Sequence, residues 1–389
     1  MTFTKENAQN AYNFTEKLAF PRLVGTDGEK KAQELLENEL QSINVPYYTE
    51  NLKASAIPIN ILFRITLPLG AVFLMIAWLF SLSFIGLIFS LIGLLWFLSA
   101  STVLKRGFGW LPNFGTQYST KNFIAEISPS DPKAHLIYMA HYDSKSQLYP
   151  ALLRVILFVG GIITGVLYSI RLAGFSISML IGYLPTGFWN PTWISFVIMF
   201  IWNFSLIFNS VGNKSPGAID NATSVAILLE LIKLFNSDPP QNLKLSFIFT
   251  AAEELGLYGA ADFINRHKHE LDPKTTYFLN YDGIGSKKNL LLTSFGIPLK
   301  KTSPFLNKLI FEIAEEHSLE FGKIFLPIGA ATDHVPIQAA GFEVACMVST
   351  MPRTHTSKDT IDHVKLESLE VAGIIGFELA KKLDQKFKN

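Results

Sequence analysis

The stretch Phe247-Ile-Phe-Thr-Ala-Ala-Glu-Glu-Leu-Gly-Leu-Tyr-Gly259 decides how this chain is read: an apolar strand runs into two adjacent carboxylates and then a glycine-bearing turn. Successive side chains of a strand point to opposite faces, so Glu253 and Glu254 can serve one site only where the chain leaves the sheet. In open α/β sheets ligands gather at the carboxyl ends of strands, which is where this pair would stand. Alone, two glutamates at a helix start are equally well read as a solvated end favoured by the helix dipole. The rest of the chain has to decide between the two.

Working outward, Leu243–Thr250 is the strand that delivers the pair, and a helical stretch from about Leu257 to His267 follows it. A strand at Thr276–Tyr281 ends in Asp282-Gly-Ile-Gly285. Pro304–Leu319 is an amphipathic helix, Glu343–Ser349 a strand and Leu366–Phe387 the closing helix. Upstream, Asp220 and Asn221 can cap a helix with Val225, Leu228, Leu229, Leu231 and Ile232 on its apolar face. Asn122–Ile127 and Ala134–His141 read as short buried strands, the second ending in His141-Tyr-Asp143-Ser-Lys145. Near the start, Thr26-Asp-Gly-Glu29 has the spacing of a capping box and introduces a helix from about Gly28 to Ser42. Strands alternating with helices predict an α/β domain, a mostly parallel sheet flanked by helices.

Two apolar stretches interrupt that pattern. From Ile57 to Val103 the only charged residue is Arg64, and from Ser146 to Gly212 only Arg154 and Arg171 are charged. Each run is long enough for two membrane-crossing helices of about 20 residues. The first divides near Ser81-Leu-Ser83; the second gives spans at about Leu152–Ile170 and Trp193–Val211. Between those two, Ser176–Leu184 is apolar but short, and Pro185, Gly187 and Pro191 make it an interfacial or re-entrant piece. The expected organisation is an α/β domain in three pieces, 1–56, 105–147 and 213–389, separated by transmembrane hairpins at 57–104 and 148–212, about four spans in all.

Composition supports a bilayer partner, since 49% of the 389 residues are hydrophobic, 17% are charged and 32 are Phe. Lys53, Lys105 and Arg106 flank the first hairpin, and no basic-then-apolar signal opens the chain. The expectation is a multi-pass integral membrane protein with its catalytic domain in the cytoplasm. Arg64, Arg154 and Arg171 stand near span ends and are read as snorkelling to the interface. A net charge of +1 offers no footprint for nucleic acid. Cys346, the single cysteine, excludes an intrachain disulfide and a Cys-based zinc site.

The polar residues just after the strands are His141 and Asp143, Asp220, Glu253 and Glu254, Asp282, and later His355 within Arg353-Thr-His-Thr-Ser-Lys-Asp359. Imidazoles and carboxylates without a thiolate suit a pair of catalytic zinc ions, with cobalt or manganese as other occupants. Two dications against Asp220, Glu254 and Asp282 leave one formal positive charge, which a hydroxide would cancel.

The succession His-x-Asp, Gly-Ala-x-Asp-Asn, Glu-Glu-x-Gly-Leu-x-Gly, Asp-Gly and His-Thr-x-x-Asp resembles the co-catalytic zinc aminopeptidases of metallopeptidase family twenty-eight, relatives of glutaminyl cyclase and glutamate carboxypeptidase. Pro21-Arg-Leu-Val-Gly-Thr-Asp-Gly-Glu29 is similar to that family's N-terminal segment. The resemblance covers about 280 residues, nearly all of the sequence outside the apolar stretches. Neither apolar insertion belongs to the common secreted members. The resemblance implies that Asp220 bridges two metals, that Glu254 and His355 complete one ligand set and that His141 and Asp282 complete the other. Glu253 would be the general base that takes a proton from the attacking water and delivers it to the leaving amine. Asp143 would accept a hydrogen bond from the non-metal nitrogen of His141, and Asp359 would act similarly near His355. Thr332-Asp-His-Val-Pro336 resembles a segment near the substrate pocket, which makes Asp333 and His334 pocket candidates, not ligands. The remaining histidines lack a motif and are read as structural.

The implied activity is removal of N-terminal residues from peptides with a free amine. His141-Tyr-Asp-Ser-Lys145 also looks like a segment of glutaminyl cyclases, so an aminoacyl-transferring cyclase is the alternative. A non-enzymatic scaffold with a vestigial peptidase domain is the third reading, opposed by the intact ligand set and Glu253.

Overall fold

A computed structural model describes residues 1–57, 59, 63–105, 115–184, 186, 187, 190–296, 299–326, 331–350 and 352–388. The start of the first apolar stretch at 58 and 60–62, Arg106 and Pro185 lie outside them. The strands are β1 (Tyr47–Ser55), β2 (Gln117–Ile127), β3 (Ala134–His141), β4 (Ser146–Gln147), β5 (Val211–Gly212), β6 (Leu243–Thr250), β7 (Thr276–Tyr281), β8 (Asn289–Phe295), β9 (Lys300–Lys301), β10 (Phe321–Leu326) and β11 (Glu343–Ser349). The helices are α1 (Lys5–Leu18), α2 (Asp27–Ile43), α3 (Phe63–Leu79), α4 (Phe84–Lys105), α5 (Ala151–Leu180), α6 (Trp193–Phe204), α7 (Thr223–Ser237), α8 (Glu253–Gly256), α9 (Tyr258–His267), α10 (Pro304–Glu316), α11 (His334–Ala339) and α12 (Leu366–Lys386).

The main sheet runs β1-β2-β6-β3-β7-β11-β8-β10, with β9 beside β8. Its centre, β6-β3-β7-β11, is parallel, while β1, β2 and β8 join antiparallel to their inner neighbours. The sheet is therefore mixed around a parallel centre. Alternate residues of β3 explain its unbroken apolar run. Leu136, Tyr138 and Ala140 join the core with α1, α7 and α12, and Ile137 and Met139 join the core with α9 and α11 on the other face. A strand covered on both faces has no polar side.

The apolar stretches form helices that pack on one another. α3, α4, α5 and α6 share a core of their own that includes Leu74, Phe97, Phe158, Leu172 and Met199. The break between α3 and α4 spans residues 80–83, at the Ser81-Leu-Ser83 division. Among the described helices, α5 is long and apolar enough to cross a membrane, while Arg64–Leu79, Phe84–Ala100 and Trp193–Phe208 are apolar but shorter. Ser176–Leu180 is not a separate interfacial piece: it is the last part of α5. The outward faces remain apolar, with Leu152 72%, Trp193 65% and Ile201 64% exposed.

The second insertion leaves and rejoins the sheet domain through a short ribbon. Ser146 pairs with Gly212 and Gln147 with Val211, antiparallel. The fully buried Arg22 closes the gap above this ribbon. Its Nε donates to the Tyr142 carbonyl at 2.5 Å, Nη1 to the Pro216 carbonyl at 2.5 Å and Nη2 to the Gly217 carbonyl at 2.8 Å. One guanidinium thus ties together the chain on both sides of the insertion, and also reaches the carbonyls of Leu18 and Phe20.

Two capping assignments are corrected. Thr26 makes no cap hydrogen bond; its hydroxyl donates to the Leu23 carbonyl, and Glu29 accepts from the Gly25 amide and from Thr120. Asp220 and Asn221 do not cap α7 either, as they lie in an irregular turn before Thr223, joined by a cis peptide bond.

Candidate metal centre

β6 ends at Thr250, and Ala252 takes a left-handed conformation (φ 56°) that swings the chain out of the sheet before α8. That swing puts Glu253 and Glu254 on the same side. Two buried groups fix the turn. Asn122 accepts from the Ala251 amide at 2.9 Å and donates to the Gly259 carbonyl at 3.0 Å. The Asp143 carboxylate accepts from the Glu253 and Glu254 amides, each at 3.2 Å. Gly259 must be a glycine, because a Cβ there would stand 2.5 Å from the Ala251 carbonyl oxygen.

Around this turn the ends of β3 and β7 and two loops bring six buried or nearly buried donors together. His141, Glu253 and Asp282 form one group, and Asp220, Glu254 and His355 form a second, each with its ligand atoms within 4.8 Å of one another. Asp220 stands between them, its Oδ1 3.2 Å from His141 Nε2 and its Oδ2 3.1 Å from His355 Nε2. His355 Nε2 is also 3.0 Å from Glu254 Oε2, and His141 Nε2 is 3.9 Å from both Asp282 Oδ1 and Glu253 Oε2. His141 Nε2 is buried and makes no hydrogen bond of good geometry with the described residues.

The electrostatics fit a cation at this place. Burial opposes charge on the His141 imidazole, yet Glu253, Asp143, Asp220 and Asp282 outweigh it and raise its pKa well above the ordinary value. Burial likewise opposes ionisation of Glu254, but His355 and Lys145 hold it down at about 2. Burial, with repulsion from Asp282, Glu254 and Asp333, pushes Glu253 well above the usual carboxylate range against the pull of His141. Crowded carboxylates around an orphaned imidazole nitrogen, with oxygen and nitrogen donors only, match the donor set of zinc.

Several positions differ from the sequence reading. Asp143 is 3.5 Å from His141 Nδ1 through its carboxylate, but its backbone carbonyl is closer, at 3.1 Å. Its carboxylate chiefly holds the Glu253-Glu254 turn. Asp359 does not support His355; it accepts from the Ile219 amide at 2.8 Å and the Asp220 amide at 3.1 Å, fixing the backbone of the Asp220 turn. Asp333 and His334 are buried beside the centre and belong to neither group. Asp333 accepts from Thr250 at 2.5 Å, and the His334 ring packs edge-on to Phe295. Sequence reading missed Lys145, whose Nζ pairs with Glu254 at 2.8 Å, and Asn122. It also misplaced Arg154: this residue of α5 is 9% exposed and donates to His355 Nδ1, where an interfacial snorkel was expected. The position of Lys145 inside His141-Tyr-Asp-Ser-Lys145 was the available signal for the first; nothing local marks the other two.

A model of peptidase family M28 matches residues 207–379, which hold Asp220, Glu253, Glu254, Asp282 and His355. Residues 207–379 are a peptidase family M28 domain. His141 lies before the matched segment, and so do Asp143 and Lys145, yet β3 carries them into the same centre as the M28 residues. The chain is 28% identical over 166 residues to aminopeptidase YwaD of Bacillus subtilis, covering 41% of this chain and 36% of that protein. It is 28% identical over 161 residues to the vacuolar membrane protease of Candida dubliniensis, covering 40% of this chain and 16% of that protein. The chain thus spans well under half the length of these relatives. In fold it is similar to a leucine aminopeptidase precursor from Bacteroides thetaiotaomicron (TM-score 0.58, 15% identity, 98% of this chain and 97% of that one). It is also similar to a glutaminyl cyclase from an Acidobacteriales bacterium (TM-score 0.57, 17% identity, 99% and 96%).

Proposed function

We propose that the protein is a membrane-anchored, zinc-dependent aminopeptidase that removes N-terminal residues from peptides. The observation that carries this reading is the paired donor set, with the two oxygens of Asp220 turned toward His141 and His355. His141 and Asp282 would hold one zinc ion, Glu254 and His355 a second, with Asp220 shared. When bound, the ions supply Lewis acidity toward the scissile carbonyl and acidify water. The chain's own residues do the rest. Glu253, with its amide held by Asp143, takes a proton from the attacking water and returns it to the leaving amine. Lys145 and Asp359 keep Glu254 and Asp220 in place. The name of the Bacillus relative supports the activity, and the name of the Candida relative supports the membrane.

The membrane part of the proposal is four spans, α3 to α6, in hairpins at 57–104 and 148–212, with the sheet domain in the cytoplasm. Support comes from α5 and from the apolar outward faces of the bundle. Protection of a C-terminal tag from protease in sealed right-side-out vesicles is expected, and its digestion there would reverse the orientation.

The first experiment is zinc content of detergent-purified protein, together with hydrolysis of peptides carrying free or acetylated N-termini. About two zinc ions per chain and cleavage of only the free-amine peptides are expected. One zinc with cyclisation of N-terminal glutamine would replace the aminopeptidase by a glutaminyl cyclase, and neither metal nor turnover would leave a scaffold.

A further inference from the structure

Arg154 is a charged residue on an apolar helix, and its position is set by the sheet domain. Pro150 precedes the first turn of α5, and just before it the ribbon strand β4 lies against the His355 loop, the Gln147 amide donating to the His355 carbonyl at 2.8 Å. The root of α5 is therefore tied by backbone to the loop that carries His355. One turn into the helix, Arg154 Nη2 reaches His355 Nδ1, and its Nε is buried without a hydrogen-bond partner among the described residues. Glu254, Asp220 and Glu253 are the charges it feels most.

A guanidinium can only donate hydrogen bonds. His355 Nδ1 must therefore accept here, leaving Nε2 to donate toward Asp220 and Glu254. If Nε2 instead gives its lone pair to a metal, the neutral imidazole carries its proton on Nδ1, and Arg154 would face it donor to donor. The contact and metal ligation through Nε2 thus exclude each other. With metal bound, Arg154 has to release His355, in a place where Glu254 is paired with Lys145 and Asp220 faces the two histidines, and where its Nε already lacks a partner among the described residues. A buried guanidinium with free donors calls for an acceptor, and its planar fork matches a carboxylate in two parallel hydrogen bonds.

We propose that Arg154, carried into the centre by α5, is a substrate-positioning residue that binds a carboxylate of the peptide in the metal-loaded protein. This rests on the aminopeptidase reading and names its substrate class: peptides whose carboxylate lies close to the scissile bond. That carboxylate comes either from the C-terminus of a short peptide or from an acidic side chain next to the cleaved bond. Helix α5 is then part of the binding site as well as an anchor.

The test is calorimetric binding to the full chain in detergent, zinc-loaded and carrying Glu253→Ala so that turnover is not needed. A leucyl-alanine dipeptide is compared with its C-terminal amide, and leucyl-glutamate amide with leucyl-glutamine amide. One pair should show about tenfold tighter binding of the carboxylate member, as expected for a two-hydrogen-bond ion pair. Which pair does so identifies the source. Adding Arg154→Met should erase the preference, and Arg154→Lys should keep part of it. No preference in either pair, or a preference that survives Arg154→Met, overturns the proposal. Zinc titration of the metal-free protein gives a second readout. Because Arg154 must let go of His355, Arg154→Met should bind zinc at least as tightly as the unsubstituted protein. Loss of zinc binding would show that the arginine merely holds His355 in place, and would also overturn the proposal. If Arg154-dependent binding is found but protein with Glu253 intact cleaves none of these peptides, the inference stands and the aminopeptidase reading falls.

Discussion

The sheet domain and the α3–α6 bundle solve opposite problems with opposite residues. At the strand ends the sheet domain buries carboxylates, imidazoles, Lys145 and Arg22, each set against polar partners. The bundle has a modest core and turns large apolar side chains outward along α4, α5 and α6. In water an outward apolar surface of this extent marks an interaction face. Inward polarity costs free energy unless every group is matched. The difference teaches that buried polarity and outward apolarity are kept in separate parts of one chain, and that the ribbon of β4 and β5 and the Arg22 clamp are where the two meet.

The largest expected effect breaks the polar side of the comparison at its chemistry. Glu253→Ala should keep zinc and lower turnover by about a thousandfold, the scale of a lost general base. Asp220→Ala should lose zinc as well, because both histidines turn toward it. Metal analysis beside peptide hydrolysis separates the two, and a Glu253→Ala protein with undiminished turnover would remove Glu253 from its role.

The next effect falls on the junction. Arg22→Met keeps much of the volume but strips the donors from the carbonyls of Tyr142, Pro216 and Gly217. A loss of about 4 kcal/mol is expected, from several buried acceptors left unmatched. Thermal unfolding of the detergent-solubilised protein measures it, and a change within experimental error would mean that the halves close without the clamp.

The apolar side is tested by Ile163→Lys in the middle of α5, at a side chain 51% exposed. If that face meets lipid, insertion is disfavoured by about 3 kcal/mol and the protein should shift out of the alkali-resistant membrane fraction. If it meets water, the same change should raise soluble yield.

How much of this was legible depended on whether the partners are near in sequence. His141, Asp220, Glu253, Glu254, Asp282 and His355 are each marked by a short local motif, and the strands that lead to His141, the glutamates and Asp282 are mostly apolar, with Leu136–Ala140, Phe247–Phe249 and Tyr277–Leu279 as their cores. Arg22, Asn122 and Arg154 act on residues more than a hundred positions away, so no spacing announces them. Local signatures also misled. Asp before an apolar helix is the mark of a cap, and Thr-x-x-Glu the mark of a capping box, but Asp220 and Glu29 were drawn to His141 and Thr120 by the tertiary fold. Strands β1 and β10 escaped because they are sheet edges, where Tyr47–Ser55 alternates little and carries Glu50 and Lys53.

The smallest effect asks whether the sheet domain matches every polar group it buries. Among the described residues, Asp333 accepts one hydrogen bond, from Thr250, and its other carboxylate oxygen has no partner. Burial pushes its pKa up to about 7, with Asp282 and Asp143 adding to the rise and His141 and Thr250 opposing it. A carboxyl raised in the fold binds its proton more tightly there than in the unfolded chain. The stability this contributes is complete below the unfolded value of 3.8 and is lost as pH rises through about 7. Asp333→Asn cannot ionise and should escape that loss. In protein freed of metal by chelation, the gap between variant and unsubstituted protein should shift in favour of the variant by about 2 kcal/mol between about pH 5.5 and pH 7.5. Unfolding midpoints read across that range measure it. A gap that stays constant would mean that Asp333 is already ionised in the fold, matched by His141.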